Sequence, residues 1–412
     1  MSQTRVGPIH VGPAQIRVAV AAAGSAALLI ATVCACSSQG TTSAKAGAQA
    51  KDGARAHDRA ATISVTPHGT RAKAGEPVKV AVHDGRLASV TVTDASGERL
   101  TGRLSHDRRT WTSDRNAVPG ATYTVQAATR SQNGQAHQTH QSFTTIAADR
   151  VNKVEWRPGT ATTVGVAQPL SLVFDFPVRD KAAVEKQLKV TTSNHTEGSW
   201  GWMKDWSGRD RVDWRPKEYW QPGTKVSLDA RLNGTYSGAG GGWFVRDYKL
   251  DVTIGARQVV KVDLDSKQLT MQRNGATVRT FPVSGGTPGP KTGSWRGTEV
   301  MMSKEGTIRM NSETVGLGDA YDQNVNYAMR LTWSGTYAHA APWNAANFGR
   351  ANKSHGCIGM SDANARWLYQ HARIGDPFEV KGAETKGQVA LNNGFGDWNV
   401  DWDQWRSRSA LR

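Results

Sequence analysis

Short runs in which apolar and polar residues alternate recur through most of the chain, and they limit the folds open to it more than any other feature. Residues 78–82, 170–174 and 259–263 are three such runs. Side chains of a β-strand point alternately to its two faces, so each run predicts a strand with one buried face. Turn signals such as Pro119-Gly120 lie between the runs. The sequence therefore predicts a mainly β protein of short strands joined by turns.

The spacing of these strands also predicts how the chain is divided. Its 412 residues exceed what one hydrophobic core usually holds, so two or three domains are expected. Regularly spaced strands without a helical repeat predict two immunoglobulin-like sandwiches, over residues 61–149 and 150–256. The β pattern continues through a third domain over residues 257–383, and residues 384–412 form a C-terminal tail.

The N-terminal segment has the pattern of an export signal. Arg5 and Arg17 precede an apolar stretch over residues 18–33, which is short for a membrane span. Residues 1–36 are therefore predicted to be a signal peptide, which places the folded part of the protein outside the cytoplasm.

The end of this segment, Val33-Cys34-Ala35-Cys36, resembles a bacterial lipobox, in which small residues precede a cysteine that receives lipid. Cys36 fits better than Cys34, because Ala35 is smaller than Val33. Acyl chains on Cys36 would anchor the protein at the cell membrane, facing the cell wall. An ordinary signal peptide cut nearby is the alternative. Residues 37–60, rich in Ser, Gly, Thr and Ala, are predicted to be a flexible tether.

The charge of the chain restricts its partners. The net charge is +16, and the basic residues are spread along the chain rather than gathered in one run. Such a balance favours a polyanionic neighbourhood, such as anionic lipid headgroups or wall polymers. The sequence shows no helix-turn-helix, zinc-finger or aromatic RNA-binding motif. We therefore expect no nucleic-acid partner.

The second predicted sandwich is rich in tryptophan, at Trp200, Trp202, Trp206, Trp214 and Trp220. A platform on which glycans stack is one interpretation. Packing in the core and between domains is favoured over it, because each indole buries a large area. We assign these residues no binding role.

One helix is predicted in the third domain, and the tail is expected to dock. Ser361 can cap a helix over residues 362–371, and Gly375 lies just beyond its end. The tail carries three tryptophans spaced four and three residues apart, Trp398, Trp402 and Trp405. On a helix these rings would share one face, which predicts that the tail packs against a domain.

Cysteine usage isolates one thiol in the folded part of the chain. Of three cysteines, Cys34 and Cys36 belong to the predicted signal region, which leaves Cys357. A single thiol cannot form an internal disulfide, so an exported protein of this sequence has no disulfide framework. Cys357 is either a small buried apolar residue or a nucleophile, and its neighbours favour the second interpretation.

Two histidines and a glycine accompany this cysteine. A thiol attacks as a thiolate, and an imidazole within reach is the usual base. His355 shares a face with Cys357 if the segment is extended, and His339 lies on an alternating segment that could pair alongside. The backbone N–H of Gly356, with that of Cys357, could bind an oxyanion. A metal site on the two histidines and the cysteine is the alternative, although no fourth ligand lies nearby.

These residues resemble the hallmark of the L,D-transpeptidases with a YkuD-like catalytic domain, which is an upstream histidine followed by Ser/Thr-His-Gly-Cys. Here the histidine is His339 and the second element is Ser354-His355-Gly356-Cys357. The order of the segments is similar to that of actinobacterial members with a lipoprotein signal, two immunoglobulin-like domains, a catalytic domain and a tail. The resemblance covers nearly the whole chain and makes residues 257–383 the expected catalytic domain.

The resemblance implies a role for each residue of the site. His339, oriented by the backbone carbonyl of Ala340, deprotonates Cys357, and His355 supports the site and its oxyanion region. It also implies contacts with the acyl donor at Tyr321, Ser334 and Gly335, and pocket-lining positions at Met310, Trp343 and Asn352. Gly359 stands where the family usually has Asn or Arg, a side chain that meets the donor, so the resemblance leaves the donor preference open.

The function implied is the cross-linking of peptidoglycan stem peptides through a Cys357 thioester. A tetrapeptide donor would release D-alanine, no cofactor would be needed, and carbapenem-type inhibitors would acylate the thiol. An L,D-carboxypeptidase, in which water resolves the same thioester, is one alternative. A non-enzymatic lipoprotein that binds the cell wall is the other.

Overall fold

The computed structural model describes residues 61–131 and 133–411. The predictions made for residues 1–60, namely the signal peptide, the lipidation of Cys36 and the tether, lie outside the described residues. Within the described part of the chain, no helix combines the length and the apolar character that crossing a membrane requires.

The first sandwich comprises β1 (Thr62–Thr66), β2 (Pro77–His83), β3 (Gly85–Asp94), β4 (Gly102–Leu104), β5 (Thr110–Asn116), β6 (Thr122–Ser131) and β7 (Ala136–Thr144). One sheet has the strand order β1-β2-β5-β4 and the other has the order β3-β6-β7. The alternation in β2 buries Val78, Val80 and Val82 and exposes the residues between them to a greater degree. These valines pack with Trp111 and Phe143, so the predicted pattern produces a core between two sheets.

The second sandwich comprises β8 (Val154–Arg157), β9 (Thr162–Val164), β10 (Leu170–Phe174), α1 (Lys181–Glu185), β11 (Leu188–Thr192), β12 (Gly198–Lys204), β13 (Asp210–Pro216), β14 (Lys225–Ala230) and β15 (Tyr248–Ile254). Its sheets have the orders β12-β13-β10-β8 and β11-β14-β15-β9. Four of its five named tryptophans are buried, as predicted, namely Trp200, Trp202, Trp214 and Trp220. The packing prediction was wrong for Trp206, because it lies in the turn between β12 and β13 and is 51% exposed.

The third domain comprises β16 (Gln258–Asp263), β17 (Gln268–Arg273), β18 (Ala276–Pro282), β19 (Gly297–Val300), β20 (Ser303–Asn311), β21 (Asp322–Arg330), β22 (Tyr337–Ala340), β23 (Ile358–Met360), α2 (Asp362–His371) and β24 (Pro377–Lys381). Its sheets have the orders β18-β17-β16-β24-β19 and β20-β21-β22-β23. Their buried faces share a core with Ala365 and Leu368 of α2. The predicted helix is confirmed, since Ser361 Oγ accepts a hydrogen bond from the Asn364 N–H at its start.

The tail docks as expected, but not as one helix. A 3₁₀ turn over Gly396–Asn399 is followed by α3 (Trp402–Arg406), because Val400 is extended and Asp401 caps a new helix start. The expectation of one shared helical face was therefore wrong. The three tryptophan rings nevertheless converge on Arg215 of β13, whose guanidinium lies 4.9 Å, 5.4 Å and 4.9 Å from the rings of Trp398, Trp402 and Trp405. The predicted mainly β fold is confirmed.

Candidate active site

Two neighbouring parallel strands bring the predicted nucleophile and base together. In the pairing of β22 with β23, His339 stands opposite Gly359 and Ala338 opposite Ile358. Cys357 immediately precedes β23. Ala338 and Ile358 point into the core, so His339 and Cys357 point to the other face, where both line one cavity. This strand pairing brings the two residues together although they are well separated in the sequence.

His339 is held in one tautomer. Its ring is 5% exposed, and Nδ1 lies 2.7 Å from the Ala340 carbonyl oxygen. A carbonyl only accepts, so Nδ1 carries the hydrogen and Nε2 of the neutral ring is the free acceptor. Burial lowers the pKa of His339, and the bond to Ala340 opposes this shift. The ring is therefore neutral near pH 7 and can accept a proton at Nε2.

Cys357 is a part-buried, protonated thiol. Burial raises its pKa to about 11, while the Tyr337 N–H and the charge of Lys386 act in the opposite direction. Among the described residues, Sγ donates to the Gly335 carbonyl at 3.8 Å and makes no hydrogen bond to His339. The site at rest is thus a neutral thiol and a neutral imidazole rather than a thiolate and an imidazolium.

The turn before the nucleophile is fixed by two serines. Ser354 Oγ donates to the Cys357 carbonyl at 2.7 Å and accepts the Gly356 N–H at 3.2 Å, while Ser294 Oγ donates to the Gly356 carbonyl at 2.9 Å. Gly356 has a φ of 124°, which a side chain would strain. The N–H expected to bind an oxyanion is therefore engaged by Ser354, and that bond must break before Gly356 can serve.

A cavity of about 270 Å³ opens above the thiol. Its walls are Met310, Ala320, Tyr321, Gln323, His339, Ala341, Trp343, Asn344, Lys353, Ser354, His355, Cys357 and Gly359. The hairpin of β20 and β21 covers it on one side. The Tyr321 ring lies 5.2 Å from that of His355, and the Trp343 ring lies 6.1 Å from that of His339. The structure thus gathers seven of the predicted site residues around one space.

Three other predicted contacts lie behind the wall rather than in it. Ser334 Oγ accepts from Asn393 at 2.8 Å, and Gly335 reaches the site through its carbonyl. Asn352 was expected to line the pocket, but its amide accepts the Gly285 N–H and donates to the Leu264 carbonyl, at 2.9 Å and 2.8 Å. Both ends of that side chain are engaged by the backbone, so Asn352 braces the loop instead.

Gly359 leaves room in the cavity. Both its N–H and its carbonyl bond to Ser284, at 2.9 Å, and a Cβ added to it would come 3.0 Å from Ala341 Cβ. A larger side chain there would need Ala341 to shift. Gly359 therefore presents no side chain to the cavity at the position where the family usually has Asn or Arg.

Two charged residues behind Cys357 carry no signal in the sequence. Lys386 of the tail places Nζ 3.4 Å from the point where a Cβ of Gly356 would lie, and 4.6 Å from the centre of the Trp295 ring. Glu299 of β19 is 2% exposed, and burial raises its pKa to about 8. Neither residue belongs to a local motif, so only the fold associates them with Cys357. No cluster of three metal-ligating side chains occurs in the described residues.

Comparisons with known proteins found two matching family models and several similar proteins. The family model described as Bacterial Ig domain matches residues 69–236, and the model described as L,D-transpeptidase catalytic domain matches residues 257–380. The chain is 34% identical to L,D-transpeptidase 2 of Mycobacterium tuberculosis (strain CDC 1551 / Oshkosh), over 85% of this chain and 84% of that protein. It is 34% identical to L,D-transpeptidase 5 of M. tuberculosis (strain ATCC 25618 / H37Rv), over 81% and 73%. A solved L,D-transpeptidase from Mycobacterium smegmatis is 32% identical and covers 57% of this chain and 100% of its own, with a TM-score of 0.45.

Proposed function

The chain belongs to the L,D-transpeptidase family, and from that premise we propose that Cys357 cross-links peptidoglycan stem peptides through a thioester. The donor is a tetrapeptide stem. Cys357 Sγ attacks the carbonyl between its diamino acid and the terminal D-alanine, while His339 Nε2 accepts the thiol proton. The C–N bond then breaks, the amine of D-alanine takes this proton and leaves, and the thioester remains.

The second half of the cycle resolves the thioester. The side-chain amine of another stem attacks the thioester carbonyl and transfers a proton to His339. The C–S bond breaks, and the sulfur recovers that proton as a thiol. The new bond is an amide cross-link, and the enzyme returns to its starting state without a cofactor.

One observation supports this proposal above the others, which is the tautomer of His339. Its Nδ1–H bond to Ala340 leaves Nε2 free, on a strand paired directly to the one that follows Cys357. Burial lowers the pKa of His339, so this base stays neutral at pH values at which an ordinary histidine is already protonated. Activity should therefore persist into mildly acidic conditions and fall when His339 is protonated.

The cavity provides groups suited to a peptide donor. Burial raises the pKa of Tyr321 to about 12, so its hydroxyl keeps its proton and can donate to a carbonyl. Trp343 is 53% exposed and offers an apolar face at the entrance. A carbapenem presents the same reactive feature, a carbonyl whose C–N bond breaks on attack, and so is proposed to acylate Cys357.

The nucleophile is tested by incubating the protein with a carbapenem and measuring its intact mass. We expect one covalent adduct that maps to Cys357 and is absent from Cys357→Ala. His339→Gln should slow its formation by about 10²- to 10⁴-fold, the usual contribution of a general base. The exposed histidine variant His137→Gln is the matched control and should react at the wild-type rate. An adduct on Cys357→Ala would refute the assignment.

Product analysis separates the alternatives. Purified tetrapeptide stems should yield cross-linked dimers and D-alanine. Trimmed monomers alone would identify an L,D-carboxypeptidase. If neither product formed and the protein still bound sacculi, the result would identify a wall-binding lipoprotein.

The proposal includes export and a lipid anchor, which the apolar stretch over residues 18–33 and Cys36 support from sequence. The wild-type protein should fractionate with membranes, and Cys36→Ser should appear in the soluble extracytoplasmic fraction. Wild-type protein in that soluble fraction would contradict the anchor.

A further inference from the structure

The first sandwich carries a concave cavity whose wall holds four arginines. Arg86 comes from β3, Arg130 from β6, and Arg108 and Arg109 from the turn between β4 and β5. All four residues are exposed, and the cavity they line has a volume of about 630 Å³. It lies on a different domain from the candidate active site.

The backbone forces these positive charges together. Arg86 and Arg130 are directly opposite in the pairing of β3 with β6, an arrangement in which like charges destabilise a sheet. Arg108 has a φ of 57°, and its guanidinium donates to the carbonyls of Leu87 and Ala88 at 3.1 Å and 2.9 Å. Its charge is therefore held at the wall of the cavity instead of extending into solvent.

Neighbouring acidic side chains do not neutralise the positive charge of the four arginines. Within the described residues, none of the four arginines has a carboxylate oxygen within ion-pair distance, whereas Arg115, Arg209 and Arg309 do. Asp107 on the same turn attracts Arg109, but its carboxylate accepts from the Ser105 hydroxyl and the Arg109 N–H. The cavity keeps a net positive charge.

We propose that this arginine cavity binds a phosphate-bearing polymer. Guanidinium groups bind the oxygens of a phosphate in pairs through charge-assisted hydrogen bonds. The concave shape and the anchored Arg108 suit a chain that enters the cavity better than a flat membrane surface. The positive net charge of the protein would add attraction at longer range.

Binding of inorganic polyphosphate to the full chain, measured by calorimetry, tests the site. The double variant Arg86→Gln/Arg130→Gln should bind at least about tenfold more weakly. The slope of log K against the logarithm of the salt concentration should fall in magnitude by about two. The control Arg103→Gln/Arg231→Gln removes equal charge at two exposed, ion-paired arginines and should change binding less than about twofold. Melting temperature and circular dichroism confirm that both variants fold.

Three results would overturn the proposal. Equal weakening in both double variants would mean that only net charge attracts the polymer. Equal affinity for polyglutamate would remove the preference for phosphate. Tighter binding to phosphatidylglycerol vesicles than to polyphosphate would identify a membrane surface.

A separate observation concerns Lys386, which is anchored to the same residues that hold the nucleophile turn. Its N–H donates to the Ser294 carbonyl at 3.1 Å, and Ser294 Oγ donates to the Gly356 carbonyl. Its ammonium lies over the Trp295 ring, beside Gly356. The tail therefore places a cation next to the backbone of the catalytic turn.

This cation has no ion-pair partner among the described residues. Burial lowers the pKa of Lys386, and the titratable groups that oppose this shift are Cys357, before β23, and Glu299 of β19. Glu299 Oε2 is buried without a hydrogen-bond partner, and its raised pKa keeps it largely neutral at pH 7. The positive charge of Lys386 is thus available to the sulfur rather than cancelled by the acid.

We infer that Lys386 is a positioning residue whose charge favours the Cys357 thiolate, an inference that rests on Cys357 being the proposed nucleophile. Lysine here acts through the sulfur and the turn, without contacting substrate. A cation close to a thiol lowers the free energy of its ionised form.

The pH dependence of Cys357 alkylation by iodoacetamide tests this role. Lys386→Met should move the midpoint upward by about one pH unit, and Lys386→Arg should restore it. Lys381→Met removes an exposed lysine paired with Asp263 and should leave the midpoint unchanged. An unchanged midpoint in Lys386→Met would overturn the inference. A shifted midpoint in a protein that no carbapenem acylates would refute the proposed function and leave this role intact.

Discussion

The two sandwich domains share an architecture but contact the rest of the molecule in different ways. Arg211 of the second sandwich is 2% exposed and donates to the Gly394 carbonyl of the tail at 2.8 Å. Trp405 of the tail is fully buried and donates to the Ser199 carbonyl of that sandwich. The first sandwich meets the second through Arg115 and Asp247, an ion pair whose side chains are about one-third exposed, and through the Trp243 ring, which lies against Gly75.

The two sandwich domains also differ in their connection to the candidate active site. Asn393, next to Gly394, holds the backbone and hydroxyl of Ser334, whose neighbour Gly335 accepts the thiol hydrogen bond. Contacts in the second sandwich therefore reach the candidate active site through the tail. The first sandwich is connected by partly exposed contacts and carries the arginine cavity. The second sandwich is structurally part of the catalytic body, and the first is an attached module.

The largest expected effect comes from Arg211→Met. This change leaves Asp213 and Asp397, both fully buried, without the guanidinium beside them. Breaking a buried pair by removing one partner destabilises by about 3 to 5 kcal/mol. Chemical denaturation should show this loss, and Arg103→Met, at an exposed pair of the first sandwich, should change stability by less than about 0.5 kcal/mol. Equal effects at both positions would break the comparison.

Trp405→Ala should destabilise by about 3 kcal/mol, since it empties a fully buried site and removes a hydrogen bond to Ser199. The rate of carbapenem acylation should fall with it, because the loosened tail also carries Asn393. The matched control is Trp206→Ala in the second sandwich, whose exposed ring should contribute little. Full acylation activity in Trp405→Ala would show that the tail does not support the site.

A smaller effect is expected from pH at the joint between the second sandwich and the catalytic domain. The Gly165 and Ala167 N–H groups donate to the carbonyls of Ile374 and Gly375. Burial raises the pKa of the next residue, Asp376, to about 7. A raised pKa means that the folded protein binds the proton more tightly than the unfolded chain. The free energy of unfolding should therefore fall as pH rises from about 4 to about 7.

Denaturation of Asp376→Asn against pH measures this contribution. The variant keeps an acceptor for Gln258 and the Arg373 N–H but cannot ionise. Its free energy of unfolding should lack the pH dependence that Asp376 provides and should exceed the wild-type value above pH 7. Parallel curves for the two proteins would show that Asp376 does not titrate in this window.

The smallest effect is expected between the two sandwiches. Arg115→Ala removes the partner of Asp247 and should destabilise by about 0.5 to 1 kcal/mol, the range of partly exposed pairs. The rate of carbapenem acylation should be unchanged. A loss as large as that of Arg211→Met, or a slower acylation, would show that the first sandwich also belongs to the catalytic body.

Much of the fold and half of the site follow from short stretches of sequence. The alternation of β2 and the cap at Ser361 were predictable, since strand faces and helix starts depend on neighbours along the chain. The alternating segment around His339 made its pairing with the Cys357 segment possible, and the resemblance to a family made it a definite prediction. The bracing role of Asn352 and the exposure of Trp206 were not, because each depends on which segments pack around it.

The sequence alone determined that this chain is mainly β, that it has one thiol in its folded part, and that a histidine and a glycine turn accompany that thiol. Tertiary structure decided where the charges lie. It placed Lys386 of the tail beside Gly356, gathered Trp398, Trp402 and Trp405 around Arg215, and set Arg86 against Arg130. The reason is physical. Periodicity and capping arise between residues a few positions apart, whereas these contacts join segments that only strand pairing and domain packing bring together.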